Sequence, residues 1–285
     1  MNHKENLVNI ACIQMEPVFG DISGNTRKTI ELINQASNKG ANIIVLPELC
    51  NSGYVFKSRM EALSLAEEIP NGSTIQSWLH AAKQNDVYIV AGIHEKEGDK
   101  LYNSAVLIGP EGYIGTYRKN HLWNEEKLYF EEGDLGFPVF ETKYGKIGIL
   151  VCYDIWFPEA FRVYAKQGVD LVCVATNWVP MANQPNEEKR MAVHVAQANA
   201  HMNSVFVACA DRVGVERGQP FIGSSVIVDS DGWCVSGPAS VDKEELLLAT
   251  CDLSKAQCGK SKTKLNSIMG DRREEIYQVV EKINN

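Results

Sequence analysis

Lys146-Ile147-Gly148-Ile149-Leu150-Val151-Cys152-Tyr153-Asp154, with Pro158 shortly after, is a β-rich apolar run that ends at a thiol and gives way to a helical pattern. Proline is tolerated in the first helical turn, where its missing N–H has no partner to lose. A strand that breaks at Cys152 and re-forms as a helix near Pro158 is the repeating unit of an α/β layered protein. Working outward, β-like runs recur at 8–14, 42–46, 87–93, 104–108, 113–117, 146–151, 170–175, 204–210, 224–228 and 246–251. Apolar residues spaced three and four apart predict helices over 25–38, 74–85, 158–167 and 187–203, with a terminal helix over 271–283. Residues 87–117 read as three consecutive strands parted by Glu97-Gly98-Asp99 and Gly109-Pro110-Glu111-Gly112. Such a meander favours mixed sheets over a closed parallel barrel. No Ser/Gly-rich linker or short-period repeat divides the chain, so residues 1–285 read as one domain of two packed sheets with outer helices.

Two further stretches repeat the pattern of a reactive side chain just beyond a β-rich run: Leu46-Pro47-Glu48-Leu49 and Tyr117-Arg118-Lys119-Asn120-His121. If the three strands lie side by side in one sheet, a carboxylate, an ammonium and a thiol converge at its edge. An acid/base group, an oxyanion partner and a nucleophile in one pocket outline an acyl-transfer site. Each residue also has a plainer explanation. Cys152 alone fits a small buried hydrophobe. Glu48 alone fits a helix cap or an arginine partner, although a desolvated carboxylate with a raised pKa is what proton shuttling requires. Lys119, beside Arg118 and His121, fits a solvated basic turn. Their joint occurrence is what favours catalysis.

The chain has 285 residues, 45% hydrophobic and 22% charged, with a formal net charge of −8. That composition builds a large core, and the acidic balance makes nucleic acid and anionic membrane poor partners. The polar start, Met1 to Asn6, lacks the apolar core of a signal peptide, and no stretch approaches the roughly 18 to 20 apolar residues that span a bilayer. A cytoplasmic protein is expected. Eight cysteines without a C-x-x-C pair read as free thiols.

Other constellations do not assemble. His194 and His201 stand seven apart on a predicted helix without a third ligand, so packing explains them better than metal. No dinucleotide fingerprint, Walker loop or G-x-S-x-G occurs. Trp123, Trp156 and Trp178 fit either core or pocket wall.

With Gln14, Phe130-Glu131-Glu132-Gly133-Asp134, Pro158-Glu159 and Asp229-Ser230-Asp231-Gly232 added to the three stretches, the chain resembles the nitrilase superfamily of carbon–nitrogen hydrolases over about residues 8–251. The resemblance implies a four-layer αββα sandwich of two mixed sheets flanked by helices. It implies a Glu48, Lys119 and Cys152 triad, a second glutamate at Glu126, and no metal or organic cofactor. It further implies a pocket wall from Asn177 and Trp178 with Tyr54 opposite, while the turn after the strand that ends at Cys152 can itself aim the Tyr153 backbone N–H at a developing oxyanion. The expected reaction is hydrolysis of a small amide through a cysteine thioester, ahead of a carbamoyl amine and a nitrile. The expected assembly is a homodimer or larger even oligomer. A catalytically silent binding protein or a thiol redox sensor is the non-enzyme alternative, and the presence of all three triad residues counts against it.

Overall fold

A computed structural model describes residues 6–181, 190–258 and 260–277. The strands are β1 (Leu7–Gln14), β2 (Ile43–Val45), β3 (Tyr88–Glu97), β4 (Lys100–Gly109), β5 (Gly112–Arg118), β6 (Val139–Thr142), β7 (Gly145–Val151), β8 (Leu171–Ala175), β9 (Phe206–Ala210), β10 (Val215–Glu216), β11 (Gln219–Pro220), β12 (Val226–Val228), β13 (Cys234–Ser236) and β14 (Glu245–Asp252). The helices are α1 (Ile22–Asn38), α2 (Arg59–Ser64), α3 (Ser73–Asn85), α4 (Pro158–Lys166), α5 (Met191–Asn203) and α6 (Ser254–Cys258).

Two six-stranded mixed sheets carry the fold, in the orders β14-β1-β2-β3-β4-β5 and β13-β12-β9-β8-β7-β6. Each has a parallel centre, β1-β2-β3 in one and β7-β8-β9 in the other, and antiparallel flanks. Alternation along β1 shows how the layers stack. Val8, Ile10 and Cys12 join the core cluster containing the second sheet, whereas Ala11 and Ile13 join Ile33 and Ala36 of α1 and Trp78 and Ala82 of α3. Phe161 and Tyr164 of α4 and Val193 and Ala196 of α5 pack with the second sheet. Strands buried on both faces need apolar residues at every position, which is why β2 and β8 read as unbroken runs. The result is the αββα sandwich.

One expectation is corrected. Glu48 and Lys119 follow strands of the first sheet, but Cys152 follows β7 of the second, and β3 and β4 separate β2 from β5. The three residues therefore converge across the sandwich instead of along one edge. Because β4 is antiparallel to both β3 and β5, β5 runs in the same direction as β2, and both strands end on the same side of the first sheet.

The expected terminal helix differs too. Within 271–277 there is one 3-10 turn, Glu274–Ile276, and residues 278–283 lie outside the described residues. The start of the helix expected from 187 also falls there, and α5 begins at Met191. His194 and His201 are exposed on α5, so the packing expected of them is wrong: alanines and Val193 fill the inward face instead. No helix among the described residues is long and apolar enough to cross a membrane.

Candidate active site

Glu48 leaves β2 through Pro47, and Leu49 after it adopts φ 46°. This left-handed turn is costly outside glycine, and the neighbouring strand holds it in place. Gly92 of β3 makes the fit possible: a Cβ there would stand 2.4 Å from the Pro47 carbonyl oxygen and 2.5 Å from the Glu48 Cα. The Glu48 side chain is fully buried. Its Oε1 accepts from Lys119 Nζ at 2.7 Å and Asn103 Nδ2 at 2.6 Å, while Oε2 is buried without a hydrogen-bond partner. Burial, reinforced by the Glu126 charge and opposed by Lys119, pushes the Glu48 carboxyl up to about 7.

Lys119 follows Arg118, and the expected solvated basic turn is absent. The Arg118 guanidinium is buried against Glu95 at 2.5 Å and stacks 3.9 Å over the Tyr102 ring. That anchor fixes the end of β5, and the next side chain enters the interior. Lys119 Nζ donates to Glu48 Oε1 and Glu126 Oε1, each at 2.7 Å. Burial alone would lower its pKa, but the two carboxylates outweigh it and hold the ammonium charged.

Glu126 sits in the 3-10 turn Asn124–Leu128. Its Oε1 also accepts from the Tyr54 hydroxyl at 2.7 Å, and its Oε2 accepts from the Trp123 backbone N–H at 2.9 Å. Cys152 opens the 3-10 turn Cys152–Trp156 with φ 44°, so the chain bends sharply at the nucleophile candidate. Its thiol is pushed up first by burial and then by the Glu48 charge, while Lys119, Thr176 and the Asn177 backbone pull the other way. It is therefore a thiol at rest, within electrostatic reach of both Glu48 and Lys119.

The remaining expected residues divide between two lobes of one cleft. Cys152, Tyr153, Trp156, Asn177 and Trp178 line the first with Trp123 and Val179. Tyr54, Glu125 and Glu126 line the second, which shares Trp123 and Val179. Tyr54 lines the lobe that holds Glu126, with its hydroxyl committed to that carboxylate. Asn177 Nδ2 donates to the Glu48 backbone carbonyl at 3.0 Å and ties the two sheets together at the site.

Sequence reasoning missed Asn103 and Asp154. Asn103 touches both Glu48 and Glu126, at 2.6 and 3.5 Å. A lone amide in the apolar body of β4 was the available signal. Asp154 is fully buried and accepts hydrogen bonds from Tyr117, His121 and Val151.

The family model for carbon-nitrogen hydrolase matches residues 9–260. The chain is 42% identical to a nitrilase of Pyrococcus abyssi over 271 residues, 95% of this chain and 99% of that one. It is 34% identical to the N-carbamoylputrescine amidase of Solanum lycopersicum, over 98% of this chain and 97% of that one. Among solved structures, a carbon-nitrogen hydrolase from Helicobacter pylori G27 superposes with a TM-score of 0.86 at 29% identity, covering 95% of this chain and 97% of that one.

Proposed function

The chain belongs to the carbon–nitrogen hydrolase family of the nitrilase superfamily, and from that premise we propose that it hydrolyses the C–N bond of a small amide through a thioester on Cys152. The observation that carries this reading is the fully buried Glu48 carboxyl, bonded to Lys119 through one oxygen and without a hydrogen-bond partner at the other, near enough to Cys152 that burial and the Glu48 charge together push the thiol up. A thiol that is not ionised at rest needs a base, and a carboxyl raised to about 7 can both take and return a proton near neutrality.

Glu48 takes the thiol proton as sulfur attacks the carbonyl carbon. The Lys119 ammonium and the Tyr153 backbone N–H stabilise the tetrahedral oxyanion. The C–N bond breaks, the leaving nitrogen takes the proton from Glu48, and ammonia departs. Water then gives a proton to Glu48 and adds to the thioester. The C–S bond breaks, the proton returns to sulfur, and the carboxylic acid leaves. Glu126 orients Lys119 and the incoming substrate or water. The aromatic first lobe, with Trp123, Trp156 and Trp178, suits a small uncharged acyl group.

One observation favours a second reading, an N-carbamoyl amine whose far end is a cation. Glu125 and Glu126 line the second lobe among aromatic rings, and no Lys or Arg lines it among the described residues. Such walls suit an ammonium, and a relative bears the name N-carbamoylputrescine amidase. A nitrile ranks third. The reading takes residues 1–285 as one hydrolase domain, working in the cytoplasm as a homodimer or larger even assembly. Light scattering tests the assembly, and a monomeric mass at all concentrations would exclude it.

The deciding experiment is an ammonia-release screen over short amides, aminoalkyl carbamoyl amines and nitriles, with Cys152→Ala and Glu48→Gln as blanks. The expected result is turnover in the native protein, none in either folded variant, and an acyl adduct on Cys152 by intact mass. Undiminished hydrolysis by Cys152→Ala would refute the scheme. Peroxide-dependent oxidation of Cys152 without any ammonia release would favour the redox-sensor alternative.

A further inference from the structure

A buried ion pair outside the reacting groups is unused in this scheme. Arg212 follows β9 and Glu216 lies in β10; they are 1% and 5% exposed, and Arg212 Nη1 donates to Glu216 Oε2 at 2.6 Å. Desolvating two charges offsets much of their attraction, so stability alone is a weak reason for such a pair. Its contacts are more specific. Glu216 Oε1 accepts from two successive backbone N–H groups, Tyr54 at 2.7 Å and Val55 at 2.5 Å. Gly53, at φ +85°, lets the loop come this close: a Cβ there would stand 2.9 Å from Glu216 Oε2. On the other side, the Arg212 guanidinium lies 4.1 Å over the Phe221 ring, which meets the Tyr54 ring edge-on at 5.9 Å. Backbone and ring of Tyr54 are thus both held by one unit.

The free end of Tyr54 is its hydroxyl, which donates to Glu126 Oε1, the same oxygen that takes the Lys119 ammonium. The geometry points to Glu216, braced by Arg212, as a positioning residue that sets the place of Glu126 and of the Lys119 Nζ through Tyr54. The inference rests on the roles proposed above for Lys119 and Glu126. Without the Tyr54 donor, Glu126 keeps its bonds to the Trp123 N–H and to Lys119 but loses the one that fixes Oε1 from the side of the second lobe, so Oε1 and the ammonium bonded to it can shift together. Neither Glu216 nor Arg212 lines either lobe, but Tyr54 and Val55, whose N–H groups Glu216 holds, line the second, so a short amide that fills only the first lobe is the substrate that separates kcat from KM.

A double-mutant cycle tests this. Glu216→Gln keeps the shape but removes the charge opposite Arg212, and Tyr54→Phe removes only the hydroxyl. Each is expected to lower kcat about tenfold with KM changed less than about twofold, since small misplacements of catalytic groups are costly. If one acts through the other, the double variant also loses about tenfold instead of the roughly hundredfold of independent sites. Multiplying losses would overturn the inference, as would a lowered melting temperature with unchanged kcat. Should Glu216→Gln fail to fold, Arg212→Lys against Tyr54→Phe runs the same cycle with the same two outcomes. Lys119→Met and Glu126→Gln are measured alongside. Full activity in those variants would remove the roles proposed for Lys119 and Glu126 on which the inference rests, whereas their inactivity together with multiplying losses would remove only the positioning role.

Discussion

Asp154 and Tyr117 meet where the two sheets face each other: the Tyr117 hydroxyl, on β5, donates to Asp154 Oδ2, in the turn after Cys152, at 2.7 Å. The same oxygen accepts from the Val151 N–H at 3.0 Å, and Oδ1 accepts from the His121 N–H at 3.0 Å and contacts its ring Nδ1 at 2.7 Å. Burial first, and the Asp154 charge second, keep the Tyr117 phenol protonated as a donor. One carboxylate therefore grips both sides of Lys119 in sequence and the strand that delivers Cys152. It ties the segment carrying Lys119 to the turn carrying Cys152 without a hydrogen bond to either side chain.

Asp154→Asn should expose that dependence. The amide replaces an acceptor oxygen with an NH₂ facing groups that are themselves donors. Unsatisfied buried groups of this kind cost about 1–3 kcal/mol, and the expected loss of kcat is at least about tenfold. Urea denaturation and ammonia release measure the two. A variant with native stability and turnover would show that the carboxylate does not hold the site.

Gly92→Ala is expected to fail for a steric reason. Its Cβ would stand 2.4 Å from the Pro47 oxygen, 2.5 Å from the Glu48 Cα and 2.7 Å from the Leu49 nitrogen, all backbone atoms that no rotamer change can clear. Overpacking of this kind costs about 1–3 kcal/mol, and relief by moving Glu48 would also remove activity. Thermal melting and turnover should fall together. A fully active, native-like Gly92→Ala would contradict the geometry.

These dependencies mark how far the sequence could be read. The β-rich runs before Glu48, Lys119 and Cys152 were visible because local apolar pattern reports burial, and each ends within a few residues of its strand in the fold. The assumption of one sheet failed because an apolar run does not state its partners: β7 pairs with β6 and β8, β2 with β1 and β3, and β5 with β4. Asn103, Asp154 and Glu216 were illegible as site residues for the same reason. Each is an ordinary polar residue locally and acquires its role only from a partner on another element. The short strands β6 and β13 were missed because partial exposure dilutes their apolar pattern.

The pH response follows from Glu48. If Glu48 is the base of the proposed scheme it must be ionised, so kcat/KM should rise with pH through about 7, where burial and the Glu126 charge hold it. Glu126→Gln removes one of the two raising influences, so the limb should move to lower pH. Alkylation of Cys152 by iodoacetamide as a function of pH reads the shift even if turnover is lost. The same perturbation bears on stability. The folded carboxyl keeps its proton to higher pH than the unfolded one, whose ordinary value is 4.5. Between those values the unfolded state binds fewer protons, so this group's contribution to stability falls as pH rises from about 4.5 to about 7. An acid limb that stays in place in Glu126→Gln would separate Glu48 from the observed titration.

Cys152 itself supplies a final measurement, because its φ of 44° is a conformation that side chains resist. In a strand or helix, glycine is less stable than alanine by roughly 0.5–1 kcal/mol. At this position the order should reverse, since the left-handed conformation costs a Cβ-bearing residue about 1–2 kcal/mol that glycine avoids. Cys152→Gly and Cys152→Ala both lack the sulfur and are both expected to be inactive, so their difference isolates the backbone. Chemical denaturation should place Cys152→Gly above Cys152→Ala by about 1 kcal/mol. The strain would then belong to the turn that presents Cys152, stored in the fold and released when the Cβ is removed. Alanine equal to or above glycine would mean that the turn relaxes once the thiol is gone, and that the thiol's own contacts impose the bend.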